Sequence, residues 1–187
     1  PEAMLAEEAA RKEDPDFKVI YGTEAYFVND LVPAAVGECA QSLGGEFICF
    51  DLETTGLSPK KERITEIGAV RVRDGKVLDS FNTFVNPGMP IPQKITELTG
   101  ITDEMVANAP GEKEALGLFR EFCGRGDGEA PVMVAHNAGF DMGFLKAAAA
   151  RQGLSMDWPY IDTVPMCRAL LKDIKDCKLD TVAKYLR

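Results

Sequence analysis

Two carboxylates separated by one residue follow an uninterrupted apolar run. Asp51 and Glu53 come directly after Phe47-Ile48-Cys49-Phe50. Side chains at positions i and i+2 of a strand point to the same face, so a strand here presents both acids together and turns Leu52 into the core. Neighbouring carboxylates repel each other unless a cation lies between them, and Mg²⁺ and Mn²⁺ prefer such oxygen ligands. The pair therefore indicates either a divalent-metal site or two solvated acids at a strand end.

The residues that continue this segment are Thr54, Thr55 and Gly56. Two hydroxyl groups offer hydrogen bonds, and glycine leaves the backbone open to close approach by a ligand. This continuation favours the binding-site interpretation of Asp51 and Glu53.

A second acidic position lies at a strand-to-helix junction. Residues 132–135 predict a buried strand, and Asp141 falls in the first turn of the helix that follows. An acid there ordinarily interacts with the helix dipole. His136, the single histidine, lies in the junction, where a lone histidine is more often packed or hydrogen-bonded than catalytic. Asp162 ends the next predicted strand and is a third candidate, with a turn-forming role as an equal alternative.

The elements that must position these acids begin with a hairpin. Runs rich in β-formers at 64–73 and 76–85 flank Asp74-Gly75, a strong hairpin signal. With the apolar run at 47–50 they predict three antiparallel strands.

Beyond residue 90 the pattern alternates between helices and strands, which predicts an α/β fold with a mixed sheet and helices on both faces. Asn137 is the expected cap of the helix that carries Asp141. In the helix at 112–123, Leu118 is expected on the core side with Phe119. The predicted elements are helices at 92–98, 112–123, 138–152, 165–171 and 179–186, and strands at 132–135 and 160–164.

Composition describes an ordinary globular chain of 187 residues with a net charge of −9. That charge argues against a stand-alone duplex binder, because phosphate neutralisation requires cationic surface. The charged stretch at 1–16 is not a secretory signal, and no apolar run is long enough to cross a bilayer, so we expect a cytoplasmic protein without a membrane partner. Five cysteines, an odd number without a Cys-x-x-Cys pair, argue against a disulfide framework and a zinc site.

Taken together, the motifs resemble those of the DEDD exonuclease superfamily, in its epsilon-like proofreading branch. Asp51-Leu52-Glu53-Thr54-Thr55-Gly56 resembles the first motif, and His136-Asn137-Ala138-Gly139-Phe140-Asp141 resembles the second. Residues 64–69, 95–102 and 178–186 resemble segments between and beyond them, so the resemblance covers residues 46–187.

The resemblance implies a ribonuclease H-like fold and a 3′→5′ exonuclease that acts on the single-stranded 3′ end of DNA. Two divalent ions, Mg²⁺ or Mn²⁺, would be held by the catalytic residues Asp51, Glu53 and Asp141. The substrate-binding residues implied are Thr54, Thr55, Gly56, Leu98, Thr99, His136, Asn137 and Phe140.

A third family motif, His-x-x-x-x-Asp, supplies the fourth acid and the general-base histidine and would follow the 179–186 helix. The sequence ends at Arg187, so we expect an exonuclease domain truncated before this motif and impaired in activity. Alternatives are an inactive exonuclease-fold binding module, an RNA-directed exonuclease with the same chemistry, and a phosphatase with Asp51 as nucleophile.

The segment before residue 46 suggests the larger context. Phe17–Asp30 resembles part of the PHP domain of PolC-type replicative DNA polymerases, in which the exonuclease is inserted, and Glu24 corresponds to an acidic PHP residue. We therefore expect residues 1–45 to be a flanking PHP-like segment and 46–187 the exonuclease domain. The remainder of such a polymerase and the replisome would be its partners.

Overall fold

The computed structural model describes residues 10–14, 16, 32–38, 41–124 and 131–187. Strands come first, and helices and strands alternate only in the second half. The strands are β1 (Ala35–Val36), β2 (Glu46–Thr54), β3 (Ile64–Arg73), β4 (Lys76–Phe84), β5 (Val132–Ala135) and β6 (Tyr160–Asp162). The helices from residue 93 onward are α1 (Gln93–Thr99), α2 (Asp103–Val106), α3 (Glu112–Cys123), α4 (Ala138–Arg151), α5 (Thr163–Leu170) and α6 (Leu179–Tyr185).

The strands form one mixed sheet in the order β1-β6-β5-β2-β3-β4. Strands β2, β3 and β4 pair antiparallel, whereas β2, β5 and β6 pair parallel. This confirms the predicted α/β class with three antiparallel strands followed by parallel ones. The two-residue β1 pairs antiparallel with β6 at Ala35↔Ile161 and lies within the segment predicted to flank the domain. Two residues are too short to leave a periodic pattern in the sequence.

Strand β2 separates the core from the candidate site. Ile48, Phe50 and Leu52 are buried at alternate positions, and Asp51 and Glu53 lie between them on the opposite face. A period of two is what the pleated strand requires, so the expected placement of the two acids is confirmed.

Helices α3 and α4 supply the other side of this core. Phe119 of α3 is fully buried, with its ring centroid 6.1 Å from that of Phe50 and 5.6 Å from that of Phe81. The expectation for Leu118 is wrong, because its side chain is 43% exposed. At about 100° per residue, position 118 leaves the buried stripe of this helix. The buried residues of α3 are Ala115, Leu116, Phe119, Phe122 and Cys123.

Helix ends explain the remaining differences from the predicted elements. Helix α1 stops at Gly100, as predicted, and the φ of 77° there is the left-handed conformation that glycine adopts easily. Residues 163 and 164 were expected in a strand but begin α5, because the Asp162 side chain accepts a hydrogen bond from the Val164 N–H. The short helix α2 was not predicted. Its four residues are too few for helical periodicity to show.

Cysteine pairing also differs from expectation. Cys167 and Cys177 form a disulfide with their Cα atoms 6.0 Å apart, whereas Cys49 and Cys123 are free among the described residues. The sequence argues against a disulfide framework and gives no sign of this single bridge. An odd cysteine count excludes a fully paired framework but not a single bridge formed where the chain after α5 folds back.

The PHP-like stretch Phe17–Asp30, with Glu24, lies outside the described residues. Across the described ranges, no helix combines the length and apolar character needed to cross a membrane.

We predict that Phe119→Ala lowers the free energy of unfolding by about 3–5 kcal/mol, because it leaves a cavity among the packed rings. Leu118→Ala, one residue away on the exposed side, should change it by less than about 0.5 kcal/mol. Urea denaturation of both variants measures the difference. Equal losses would contradict the packing described for α3.

Candidate active site

The two acids of β2 lie near the carboxyl end of that strand. In the ladder with β3, Asp51 is opposite Gly68 and Glu53 is opposite Glu66. Asp51 is solvent-accessible, and Glu53 is partly buried. Gly68 presents no side chain beside Asp51, so this face of the sheet stays open between the acids.

The third predicted acid, Asp141 of helix α4, contacts the backbone of β2 between Asp51 and Glu53. Pairing between β2 and β5 ends at Cys49↔Val134, so the backbone of β2 continues beyond its neighbour. The Leu52 N–H, in this unpaired stretch, donates to Asp141 Oδ1 at 3.1 Å. Asp141 is only 3% exposed. A side chain from the first turn of α4 thus takes over the role of a strand partner between Asp51 and Glu53.

This arrangement is electrostatically unfavourable without a cation. Burial and repulsion from Asp51 raise the pKa of Asp141 to about 7, although the hydrogen bond from Leu52 opposes the shift. Partial burial raises the pKa of Asp51, with a contribution from Glu66, and burial and repulsion from Asp51 raise that of Glu53. Asp51 therefore interacts electrostatically with both Glu53 and Asp141. The joint role of the three carboxylates as metal ligands stays a prediction.

Glu66 is a fourth acid at this site that the sequence interpretation missed. It lies opposite Glu53 on β3 and accepts a hydrogen bond from Asn82 Nδ2 at 2.7 Å. Its charge acts on both Asp51 and Glu53. The alternation of buried and accessible positions in residues 64–69 could have placed Glu66 on the accessible face. It could not give the register in which β3 pairs with β2, and that register brings Glu66 opposite Glu53.

The junction between β5 and α4 is held by the β6–α5 junction beside it. Asn137 has a φ of 67°, and its side chain does not cap α4, so the predicted capping role is wrong. Instead its backbone N–H donates to Asp162 Oδ1 at 3.0 Å. His136 Nδ1 is 2.8 Å from Thr163 Oγ1, and His136 Nε2 is 2.7 Å from the Cys177 carbonyl oxygen. Both ring nitrogens of His136 thus have protein partners, and Asp162 acts as a turn residue.

The segment after β2 is internally bonded. Thr54 Oγ1 donates to the Gly56 carbonyl at 2.7 Å, and Thr55 Oγ1 donates to Glu62 Oε2 at 2.8 Å. Thr55 is 2% exposed, so its side chain shapes the loop. Gly56 lies against Glu62, whose Cγ would be 3.0 Å from an added Cβ.

The remaining predicted substrate residues differ in their surroundings. Leu98 is 80% exposed, whereas Thr99 Oγ1 donates to the Ile95 carbonyl within α1. Phe140 packs against the core, with its ring centroid 4.9 Å from that of Phe144. Contact of these residues with a substrate stays a prediction.

The capacity of the site for a metal ion follows from donor type and charge. Asp51, Glu53 and Asp141 offer only carboxylate oxygens, the ligands that hard divalent ions prefer. Burial raises their pKa values most and repulsion from neighbouring carboxylates adds to the shift, and a cation would offset both effects. Within the described ranges, no three His, Cys, Asp or Glu side chains converge on a common point. The donor set fits a divalent cation by chemistry and charge, and its side chains are not gathered around one position.

Comparison with known proteins gives a consistent result. The RNase_T family model, described as Exonuclease, matches residues 48–187. The chain is 47% identical over 185 residues to the PolC-type DNA polymerase III of Caldanaerobacter subterraneus subsp. tengcongensis, covering 99% of this chain and 12% of that protein. The protein of the same name from Clostridium perfringens is 46% identical over 186 residues, covering 100% and 12%. The chain thus spans about an eighth of the length of these relatives.

Solved structures show the same fold. Exonuclease X in complex with 5′ overhanging duplex DNA is 31% identical, with a TM-score of 0.51, over 69% of this chain and 66% of that chain. E. coli exonuclease I in complex with a dA16 oligonucleotide has a TM-score of 0.64 at 16% identity, over 75% of this chain and 35% of that chain.

We predict that Asp141→Asn stabilises the protein in EDTA at pH 8 by about 1–3 kcal/mol, since the amide still accepts from Leu52 without a buried charge. The folded-state pKa of Asp141 is raised, so stability from this group is complete below about pH 4 and is lost as pH rises through about 7. The gain from Asn should therefore shrink toward pH 4.

Urea denaturation at both pH values checks this prediction. Asp157→Asn, which removes an exposed carboxylate paired with Lys146, is the matched control and should change stability by less than about 1 kcal/mol. A gain for Asp141→Asn that is the same at pH 4 and pH 8 would contradict the electrostatic account.

Proposed function

Because the chain belongs to the exonuclease family, we propose that it is the 3′→5′ exonuclease domain of a PolC-type DNA polymerase III, which removes mispaired 3′-terminal nucleotides from DNA. The observation that carries the proposal is that Asp141 binds the backbone of Leu52, the residue between Asp51 and Glu53, within the segment that matches the family. The extent of similarity to PolC-type relatives, over nearly the whole chain, supports the polymerase context.

The cofactor in this proposal is Mg²⁺ or Mn²⁺, as two ions held by Asp51, Glu53 and Asp141. Such ions supply Lewis-acid activation for hydrolysis of the terminal phosphodiester. The hydrogen bond from the Leu52 N–H to Oδ1 fixes the Asp141 carboxyl group at the backbone of β2 between Asp51 and Glu53.

The substrate in this proposal is a single-stranded 3′ end. Thr54, Thr55 and Gly56 shape the backbone next to the carboxylates on one side of the substrate. Leu98 and Thr99 of α1 contact the substrate from another side. Leu98 supports this assignment because a leucine that is 80% exposed provides apolar surface for a terminal base.

The second-motif residues act mainly by orientation. His136 uses both ring nitrogens within the protein, and the Asn137 N–H is bonded to Asp162, so these residues hold the start of α4. Phe140 packs below them. The proton of the attacking water therefore goes to a group other than His136.

Partners follow from the relatives. A domain that corresponds to about an eighth of a PolC-type polymerase would work with the remainder of that chain and with the replisome, in the cytoplasm where the chromosome is copied.

The test follows a 5′-labelled single-stranded oligonucleotide with excess protein, so that slow hydrolysis is detected. In Mn²⁺ we expect stepwise shortening from the 3′ end, and none in EDTA. Asp51→Asn should slow it by at least the roughly 10–100-fold that loss of even an outer metal-site group costs. Asp180→Asn on the exposed face of α6 removes the same charge and should have no effect.

The alternatives give different results. Shortening that persists in EDTA or in Asp51→Asn would overturn the proposed site. Binding of the strand without any shortening would favour a docking module, and faster shortening of the matched RNA would favour an RNA-directed enzyme.

A further inference from the structure

The last residue of α4 joins three parts of the molecule through one guanidinium group. Arg151 Nε donates to Glu112 Oε2 at 3.0 Å, and Nη2 donates to Glu112 Oε1 at 2.5 Å. Its Nη1 donates to the Pro59 carbonyl oxygen at 2.9 Å. Glu112 begins α3, and Pro59 lies in the loop between β2 and β3. The fork geometry of arginine permits these bonds simultaneously.

The ion pair is largely sheltered from solvent. The Arg151 and Glu112 side chains are 23% and 10% exposed, and Gln152 Nε2 adds a bond to Glu112 Oε2 at 3.1 Å. Burial raises the pKa of Glu112, but the bonds from Arg151 and Gln152 outweigh it and lower the pKa overall. A bidentate arginine–carboxylate pair of this kind has a defined orientation, so it holds Nη1 toward Pro59.

Different contacts hold the base and the far end of the loop at residues 55–63. At its base, the Thr55 N–H donates to the Arg63 carbonyl at 2.8 Å. At its far end, Arg151 bonds to Pro59, and the Pro59 ring lies 3.6 Å from the position of an added Cβ on Gly143. Gly143 is two residues beyond Asp141 on α4, so the far end of the loop is held on the helix that supplies the third acid.

We propose that Arg151 is a positioning residue for binding of the 3′ end, because it holds the 55–63 loop on α4. The loop carries Gly56 and Leu57 next to Asp51 and Glu53, and Leu57 is 84% exposed. The bond keeps the loop at a fixed position relative to Asp141. Binding of the terminal nucleotide requires that fixed arrangement. The inference rests on the proposed function.

A purely structural ion pair would make a different prediction. Its loss would lower stability without singling out strand ends, whereas loss of loop positioning weakens the binding of an end and leaves other binding unchanged. The readouts are therefore the affinity for a 3′ end, the affinity for Mn²⁺ and the exchange of loop amides.

The experiment compares Arg151→Lys and Arg151→Met with the unmodified chain. Lysine keeps the charge beside Glu112, but a compact ammonium cannot reproduce the fork to Pro59. Lys146→Met is the matched control, because Lys146 is the other cation of α4 and pairs with exposed Asp157. Fluorescence anisotropy in Mn²⁺ measures binding of a linear single strand and of a circular single strand of equal length.

We expect both Arg151 variants to bind the linear strand about tenfold more weakly, the loss that one charge-assisted hydrogen bond accounts for. Affinity for the circle and for Mn²⁺ should stay within twofold. Hydrogen exchange should accelerate at the Lys61 and Glu62 amides, which bond to the Ser58 carbonyl in the loop, and not in β2.

Unchanged affinity for the linear strand, with faster exchange in the loop, would overturn the proposed role in end binding. Unchanged exchange would show that Arg151 does not hold the loop. Failure of the proposed function itself is distinct, because the unmodified chain and Lys146→Met would then show neither Mn²⁺ binding nor preference for the linear strand.

Discussion

Helix α4 and strand β2 meet at the buried hydrogen bond from the Leu52 N–H to Asp141 Oδ1. The bond forms where β5 has ended and β2 would otherwise present an unpaired backbone donor beside the core. A buried donor without a partner is costly, so the carboxylate satisfies a structural need of the sheet. The same contact holds the Asp141 carboxyl group at the backbone of Leu52, the residue between Asp51 and Glu53. Fold and site therefore depend on one interaction.

The cost of this arrangement is electrostatic. Asp141 is almost fully buried, close to Asp51, and Glu66 adds a further charge from β3. A chain with net charge −9 does nothing to screen that repulsion. Burial and this repulsion raise the pKa of Asp141 to about 7, and a divalent cation bound beside it would relieve the repulsion from Asp51.

Local patterns in the sequence predicted the acids and the strands that carry them, because alternation in β2 and the hairpin at Asp74-Gly75 are short-range signals. The role of Asn137 was not predictable, since its partner Asp162 is 25 residues away. Glu66 was missed because strand register cannot be read from a local sequence pattern. The Arg151–Pro59 bond was missed because it joins residues 92 positions apart. Leu118 shows that an apolar residue near a helical stripe need not face the core.

The most direct test of the central claim is a titration of the ¹⁵N-labelled protein with Mn²⁺, followed by paramagnetic broadening of its backbone amide signals. If Asp141 and the acids of β2 form one cation site, the amides of Leu52, Glu53 and Asp141 broaden first, at substoichiometric Mn²⁺. Broadening that begins at exposed acids elsewhere on the surface, or that spreads evenly over the chain, would contradict the account.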